Sequence, residues 1–213
     1  MNIYKIKIPK QILILLIFAI VLNIIRIFIF QNTTFVYMFW NIFLASIPFL
    51  ISSILIICVN KSNIFKPLFI LGFILWIIFL PNAFYVITDF IHLGRIHGVP
   101  VMYDIFVLSS SSFVSLLMGI YSIIYIEKIL LLKFTKKITD IIIIFVILFS
   151  SIGIYLGRFL RYNSWDFFIS HQSLLSSIWG IFTKVNDDIS VYYYIILFFS
   201  YIYISYIVFR MKD

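Results

Sequence analysis

Charge is scarce in this sequence. Asp, Glu, Lys and Arg make up 11% of its 213 residues, whereas about a quarter of a soluble domain is charged. That shortage excludes a chain whose main solvent is water. Cysteine is scarcer still. The single Cys58 rules out an intramolecular disulfide and a cysteine-rich metal site, and it reads as a small apolar helix residue. Several motifs are missing: there is no HExxH, no nucleophile elbow and no Gly-rich phosphate loop. The sixteen basic residues are not interleaved with aromatics, so the formal charge of +8 does not mark a nucleic-acid surface. No stretch alternates apolar with polar residues as a strand barrel requires. No solenoid repeat or inverted repeat is visible.

Hydrocarbon side chains fill the gap. Hydrophobic residues make up 64% of the chain, and the mean hydropathy is +1.16. The pattern predicts an all-α, polytopic membrane protein formed as one integral domain over residues 1–213. Six spans are expected, at about 11–30, 35–59, 64–80, 104–126, 138–157 and 190–209. Each is near the length needed to cross roughly 30 Å of hydrocarbon. Lys5, Lys7 and Lys10 precede an apolar run as in a signal peptide, but no small-residue cleavage site follows "NIIRIFIF". The run is therefore expected to be a retained first helix.

Basic residues orient the bundle. Lys5, Lys7, Lys10, Lys61, Lys66, Lys128, Lys133, Lys136, Lys137, Arg210 and Lys212 fall on one side. Arg95, Arg158, Arg161 and Lys184 fall on the other. The positive-inside rule then places both termini in the cytoplasm, with the bundle in the cytoplasmic (plasma) membrane and loops 81–103 and 158–189 outside. Arg26, inside the first span, is expected to snorkel to an interface.

Some polar residues read as packing. Ser109, Ser112, Ser115, Gly119 and Ser122 recur along one face of the fourth span, and Gly153 and Gly157 form a small-xxx-small pair on the fifth. "SLLSSIWGIFTK" (residues 173–184) has an apolar face but is too short to span. It predicts an amphipathic helix lying at the interface.

Two stretches concentrate chemistry. "LPNAFYVITDFIHL" begins at Leu80. Pro81 is expected to kink or break the third helix there. Asn82, Tyr85, Asp89 and His92, spaced three, four and three, then share one helical face, and Gly94 is placed to end that helix. "GRFLRYNSWD" (residues 157–166) puts Arg158, Arg161, Tyr162 and Trp165 on one face if its helix continues. Asn163 and Asp166 lie beside them. Arginine forks hold carboxylates or phosphates with two hydrogen bonds. Asp104, at the start of the fourth span on the same side, reads as a helix-start residue favoured by the dipole and as a third contributor.

Together "LPNAFYVITDFIHL" and "GIYLGRFLRYNSWD", with Tyr103–Asp104 between them, resemble the uncharacterised bacterial membrane-protein family called domain of unknown function 1361. The resemblance covers nearly the whole chain. Phe84 stands where that family commonly has a second proline, and Tyr162 where it commonly has tryptophan. The resemblance implies a polytopic membrane protein and brings no substrate or reaction.

Three functions are compatible with these residues. One is a polar, outward-facing site that binds an anionic lipid or solute through Asn82, Tyr85, Asp104, Arg158, Arg161, Asn163 and Trp165. Another is an outer-leaflet enzyme acting on a lipid or envelope precursor, with Asp89, His92 and Asp166 as candidate catalytic groups. The third is an assembly protein whose two stretches clamp helices together. Membrane lipids are the only partners the sequence implies. It specifies no cofactor, and Asp89 with His92 would offer at most two ligands to a divalent metal.

Overall fold

The computed structural model describes residues 9–59, 66–94, 98–169, 171–183 and 189–211. Six long helices dominate it. In chain order they are α1 (Lys10–Phe30), α2 (Tyr37–Val59), α3 (Lys66–Tyr85), α4 (Val101–Leu130), α5 (Lys136–Phe159) and, last, α8 (Ser190–Arg210). Between the last two lie a single turn, α6 (Asp166–Ile169), and α7 (His171–Thr183). The described residues contain no strand. Six helical segments are long and apolar enough to cross a membrane, as expected of a multi-pass membrane protein. Hydrocarbon cannot satisfy an exposed backbone, and helices bond every N–H and C=O internally.

The helices alternate in direction, so the ends of α1, α3 and α5 meet the starts of α2, α4 and α8. This is called the motif end below. Helix α4 is the central post: 78% of its most apolar window is buried, against 22% for α1 and for α8. That placement explains its polarity. Ser111, Ser112, Ser115 and Ser122 are all buried in protein. Lipid tails are as apolar as leucine, so membrane helices associate through close packing and hydrogen bonds rather than through water exclusion. Ser122 Oγ accepts from Trp76 Nε1 at 3.2 Å and donates to the Gly119 carbonyl at 2.7 Å. Ser112 Oγ donates to the Val86 carbonyl at 3.2 Å. A Cβ on Gly119 would stand 2.6 Å from the Phe84 ring. The serine face therefore packs helices, except at Ser109, which is exposed.

Of the kink or break expected at Pro81, the break does not occur. Helix α3 runs through Pro81 to Tyr85, and the chain then tightens into a 3-10 segment, Val86–His92. Residues 69–92 form one continuous apolar span, longer than the expected 64–80. Gly153 of α5 accommodates the proline: a Cβ there would lie 2.6 Å from Pro81 Cγ. The 3-10 segment ends at His92, and Gly94 follows with φ +74°, a conformation that glycine adopts without strain.

Arg26 does not snorkel. It is 1% exposed, and its Nε meets Asp104 Oδ1 at 2.8 Å. Its Nη1 donates to the carbonyl and the side-chain oxygen of Asn32, and its guanidinium lies 4.2 Å from the centre of the Phe35 ring. Asp104 sits in the first turn of α4, as the dipole favours, but its carboxylate is the buried partner of α1. An arginine with a carboxylate within reach inside the bundle gains more by pairing there than by stretching to an interface.

Candidate functional site

At the motif end, Asp89 is 1% exposed and shared by three elements. Its Oδ1 lies 3.3 Å from Arg158 Nη1 of α5, and its Oδ2 accepts from Asn41 Nδ2 of α2 at 2.8 Å. Arg158 is further held by Tyr85. Nη1 donates to the Tyr85 hydroxyl at 3.0 Å, and the guanidinium lies 5.3 Å from that ring's centre. Nη2 donates to the Thr88 carbonyl. Four of the guanidinium's surroundings are thus accounted for by one carboxylate, one phenol, one ring face and one carbonyl.

The change of helix type creates this arrangement. In an α-helix, Asp89 would fall in line with Tyr85, one turn on. With three residues per turn it is displaced by about a third of a turn. The expected single stripe is interrupted at Asp89. Asn82 and Tyr85 face an open cleft, while Asp89 turns inward behind Arg158 and does not line it. His92 lines the cleft and meets the Tyr37 ring edge-on, with centres 5.9 Å apart.

Helix α5 stops at Phe159, so Arg158 and Arg161 do not share a helical face. Arg161 takes φ +59°, and Tyr162 N then bonds back to the Leu156 carbonyl at 3.2 Å. A left-handed residue ends a helix in this way, usually with glycine. The returning chain is tied to its surroundings twice. Asn82 Nδ2 donates to Ser164 Oγ at 2.8 Å, and the Tyr162 hydroxyl bonds Ser177 of α7 at 3.0 Å. Asp166 is spent locally, accepting from the Asn163 backbone N–H at 2.6 Å.

The cleft between α2, α3, α5, the 161–165 loop and α7 has a volume of about 910 Å³. Asn41, Asn82, Tyr85, His92, Arg158, Arg161, Asn163, Ser164 and Trp165 line its mouth. Apolar residues line the cleft too: Leu44, Ile77, Ile78, Phe149 and Leu156 farther from the motif end, and Trp40, Ile91, Phe159, Leu174 and Ile178 nearer to it. Of the residues expected at a site, the fold gathers Asn82, Tyr85, His92, Arg158, Arg161, Asn163 and Trp165 at this cleft. Asp89 lies behind it. Asp104 and Asp166 are not part of its lining. Arg161 is exposed and makes no ion pair or hydrogen bond among the described residues, whereas Arg26, Arg158 and Arg210 each pair with a carboxylate. No group of three or more His, Cys, Asp or Glu is placed to hold a metal among the described residues. Arg95 and His97 lie outside those residues.

Sequence reasoning missed Asn41 and Tyr37, whose buried hydroxyl has no hydrogen-bond partner among the described residues. The available signal was a lone asparagine near the end of an apolar span, which seldom goes unpartnered. A second cluster, at the opposite end, was also missed. There Arg210 pairs with Glu127 and, at 2.7 Å, with Asp140, while the Tyr206 hydroxyl donates to Glu127 at 2.7 Å. It ties α8 to α4 and α5.

No curated protein and no solved structure matches the chain. One family profile does, over residues 40–207, and it carries both polar stretches and most of the bundle. The chain belongs to the family described as "Protein of unknown function (DUF1361)".

Proposed function

We propose that the cleft at the motif end binds the anionic group of a ligand, with Arg161 as its principal cation. The observation that carries this reading is Arg161 itself. It is a guanidinium at the mouth of a cleft, unpaired among the described residues, on a backbone conformation that arginine does not favour. Ser164 accepts from Asn82 and so keeps its own O–H to give, and Asn163 adds a further amide. Phosphate or carboxylate oxygens are what such a donor set recognises. Asp89 acts one step back, holding Arg158 and Asn41 in place.

In this reading the motif end faces outward and both termini are cytoplasmic, as the distribution of basic residues favours. Helix α7 lies at the outer interface, with Leu175 and Trp179 exposed to the headgroup region. Reporter fusions at Asn60 and Lys136 should read cytoplasmic. An outward reading at both positions would invert the assignment.

Titration of purified protein with glycerol phosphate tests the anion site. Arg161→Gly should weaken binding about tenfold or more, since charge-assisted bonds contribute about 1.5–3 kcal/mol. The same variant should not lose thermal stability, because glycine relieves a left-handed position that costs about 1–2 kcal/mol. Unchanged affinity in Arg161→Gly would defeat the reading.

The closed network around Asp89 favours a second reading, in which the two stretches only clamp α2, α3 and α5. On that reading Asp89→Asn destabilises the fold and no anion binds.

A further inference from the structure

We infer that the ligand is an anionic membrane lipid, its headgroup at Arg161 and one hydrocarbon chain in the apolar part of the same cleft. This rests on the anion site proposed above and extends it. On three separate helices the aliphatic lining lies farther from the motif end than the polar lining, which is joined at its own level by Trp40, Ile91 and Phe159. On α2, Asn41 is at the mouth and Leu44 lies deeper. On α3, Asn82 is at the mouth and Ile78 lies deeper. On α5, Arg158 is at the mouth and Phe149 is nine residues below, a drop of about 14 Å along the axis. That depth is nearly half of a hydrocarbon core of roughly 30 Å.

A soluble anion has no use for such a trough. An amphiphile needs both parts, in this order and at this depth. Phe149 is 61% exposed and Trp40 53% exposed on the outer surface of the bundle, yet both line the cleft. The trough therefore borders positions that face bilayer chains, and a lipid reaches it sideways without leaving the membrane. The charge order matches a lipid in the outward leaflet: cation and amide donors sit at headgroup level, with aliphatic side chains below them. Trp165 at the mouth supplies an amphipathic ring at the boundary, where such rings settle.

The test uses the full chain, purified in a neutral detergent and titrated with three probes. These are glycerol phosphate, dioleoyl-phosphatidylglycerol and dioleoyl-phosphatidylcholine, with bound lipid counted by native mass spectrometry. Phosphatidylglycerol should bind at least about tenfold more tightly than glycerol phosphate, and more tightly than phosphatidylcholine. Leu44→Trp fills the trough from a half-buried position. It should weaken phosphatidylglycerol binding about tenfold while leaving glycerol phosphate binding within about twofold. Ile78→Phe, also half-buried, serves the same purpose should Leu44→Trp fail to fold. Equal affinity for glycerol phosphate and phosphatidylglycerol, with no effect of either substitution, overturns the lipid inference and leaves the anion site standing. Equal affinity for the two lipids, unaffected by Arg161→Gly, overturns both.

Discussion

The Asp89–Arg158 pair gives the sharpest test of how the motif end is held. At 3.3 Å and an effective dielectric near 20, two unit charges attract by about 5 kcal/mol. Breaking a buried pair by removing one partner costs about 3–5 kcal/mol, because the other charge stays buried. The two ends of the pair are not equally buried: the Asp89 side chain is 2% exposed and that of Arg158 is 13%. Asp89→Asn leaves a cation that still has the Tyr85 hydroxyl, the Thr88 carbonyl and some access to the surface. Arg158→Gln leaves a carboxylate whose remaining side-chain donor among the described residues is Asn41. Arg158→Gln should therefore destabilise more than Asp89→Asn, with the single variants costing on the order of 3–5 kcal/mol. The double variant should cost less than the sum by about 2 kcal/mol or more, within the range measured for residues in contact. Unfolding of each variant in mixed micelles, followed by circular dichroism, measures all four corners of the cycle. Additivity within about 0.5 kcal/mol would show that the pair is not energetically coupled. A reversed order of the single variants would show that burial does not set the cost.

Three further outcomes are expected. Arg26→Met alone should destabilise by about 3–5 kcal/mol, whereas Arg26→Met with Asp104→Leu should recover most of that loss, since apolar replacements of both partners are often neutral; thermal melts in detergent measure both. Gly153→Ala should cost about 1–3 kcal/mol through overpacking against Pro81, and the cost should fall in a Pro81→Ala background, which removes the Cγ it meets at 2.6 Å. Tyr206→Phe removes the hydroxyl bond to Glu127 and should cost about 1.5–3 kcal/mol, the range for hydrogen bonds to charged groups; the same melts read it, and no loss would mean that Arg210 alone satisfies the carboxylate.

Much of the architecture is legible in the sequence. Span positions follow from the length of apolar runs, because a bilayer imposes one thickness on every crossing. The places where the expectation failed share a cause. Pro81 reads as a break because a proline lacks a donor. A membrane helix tolerates that one lost bond, and the room for the ring is left by Gly153, far away in the chain. Arg26 reads as a snorkelling residue because its own helix offers no partner; Asp104 becomes one only when α1 packs along α4. The stripe from Asn82 to His92 reads as one face because α-helical spacing was assumed, and a 3-10 segment turns Asp89 inward. The left-handed turn at Arg161, just past the end of α5, was not legible because arginine is a poor marker for that conformation.

The sequence by itself determined what its solvent is, how many helices are long and apolar enough to cross it, and which two stretches concentrate polar groups. These are one-dimensional properties: composition, run length and spacing. Tertiary structure alone decided how those polar groups divide their labour. It buried Asp89 behind Arg158, withdrew Asp104 into a pair with Arg26, spent Asp166 on its own turn and left Arg161 at the mouth of a cleft. Partner choice depends on distances between helices far apart in the chain, and no local pattern carries that information.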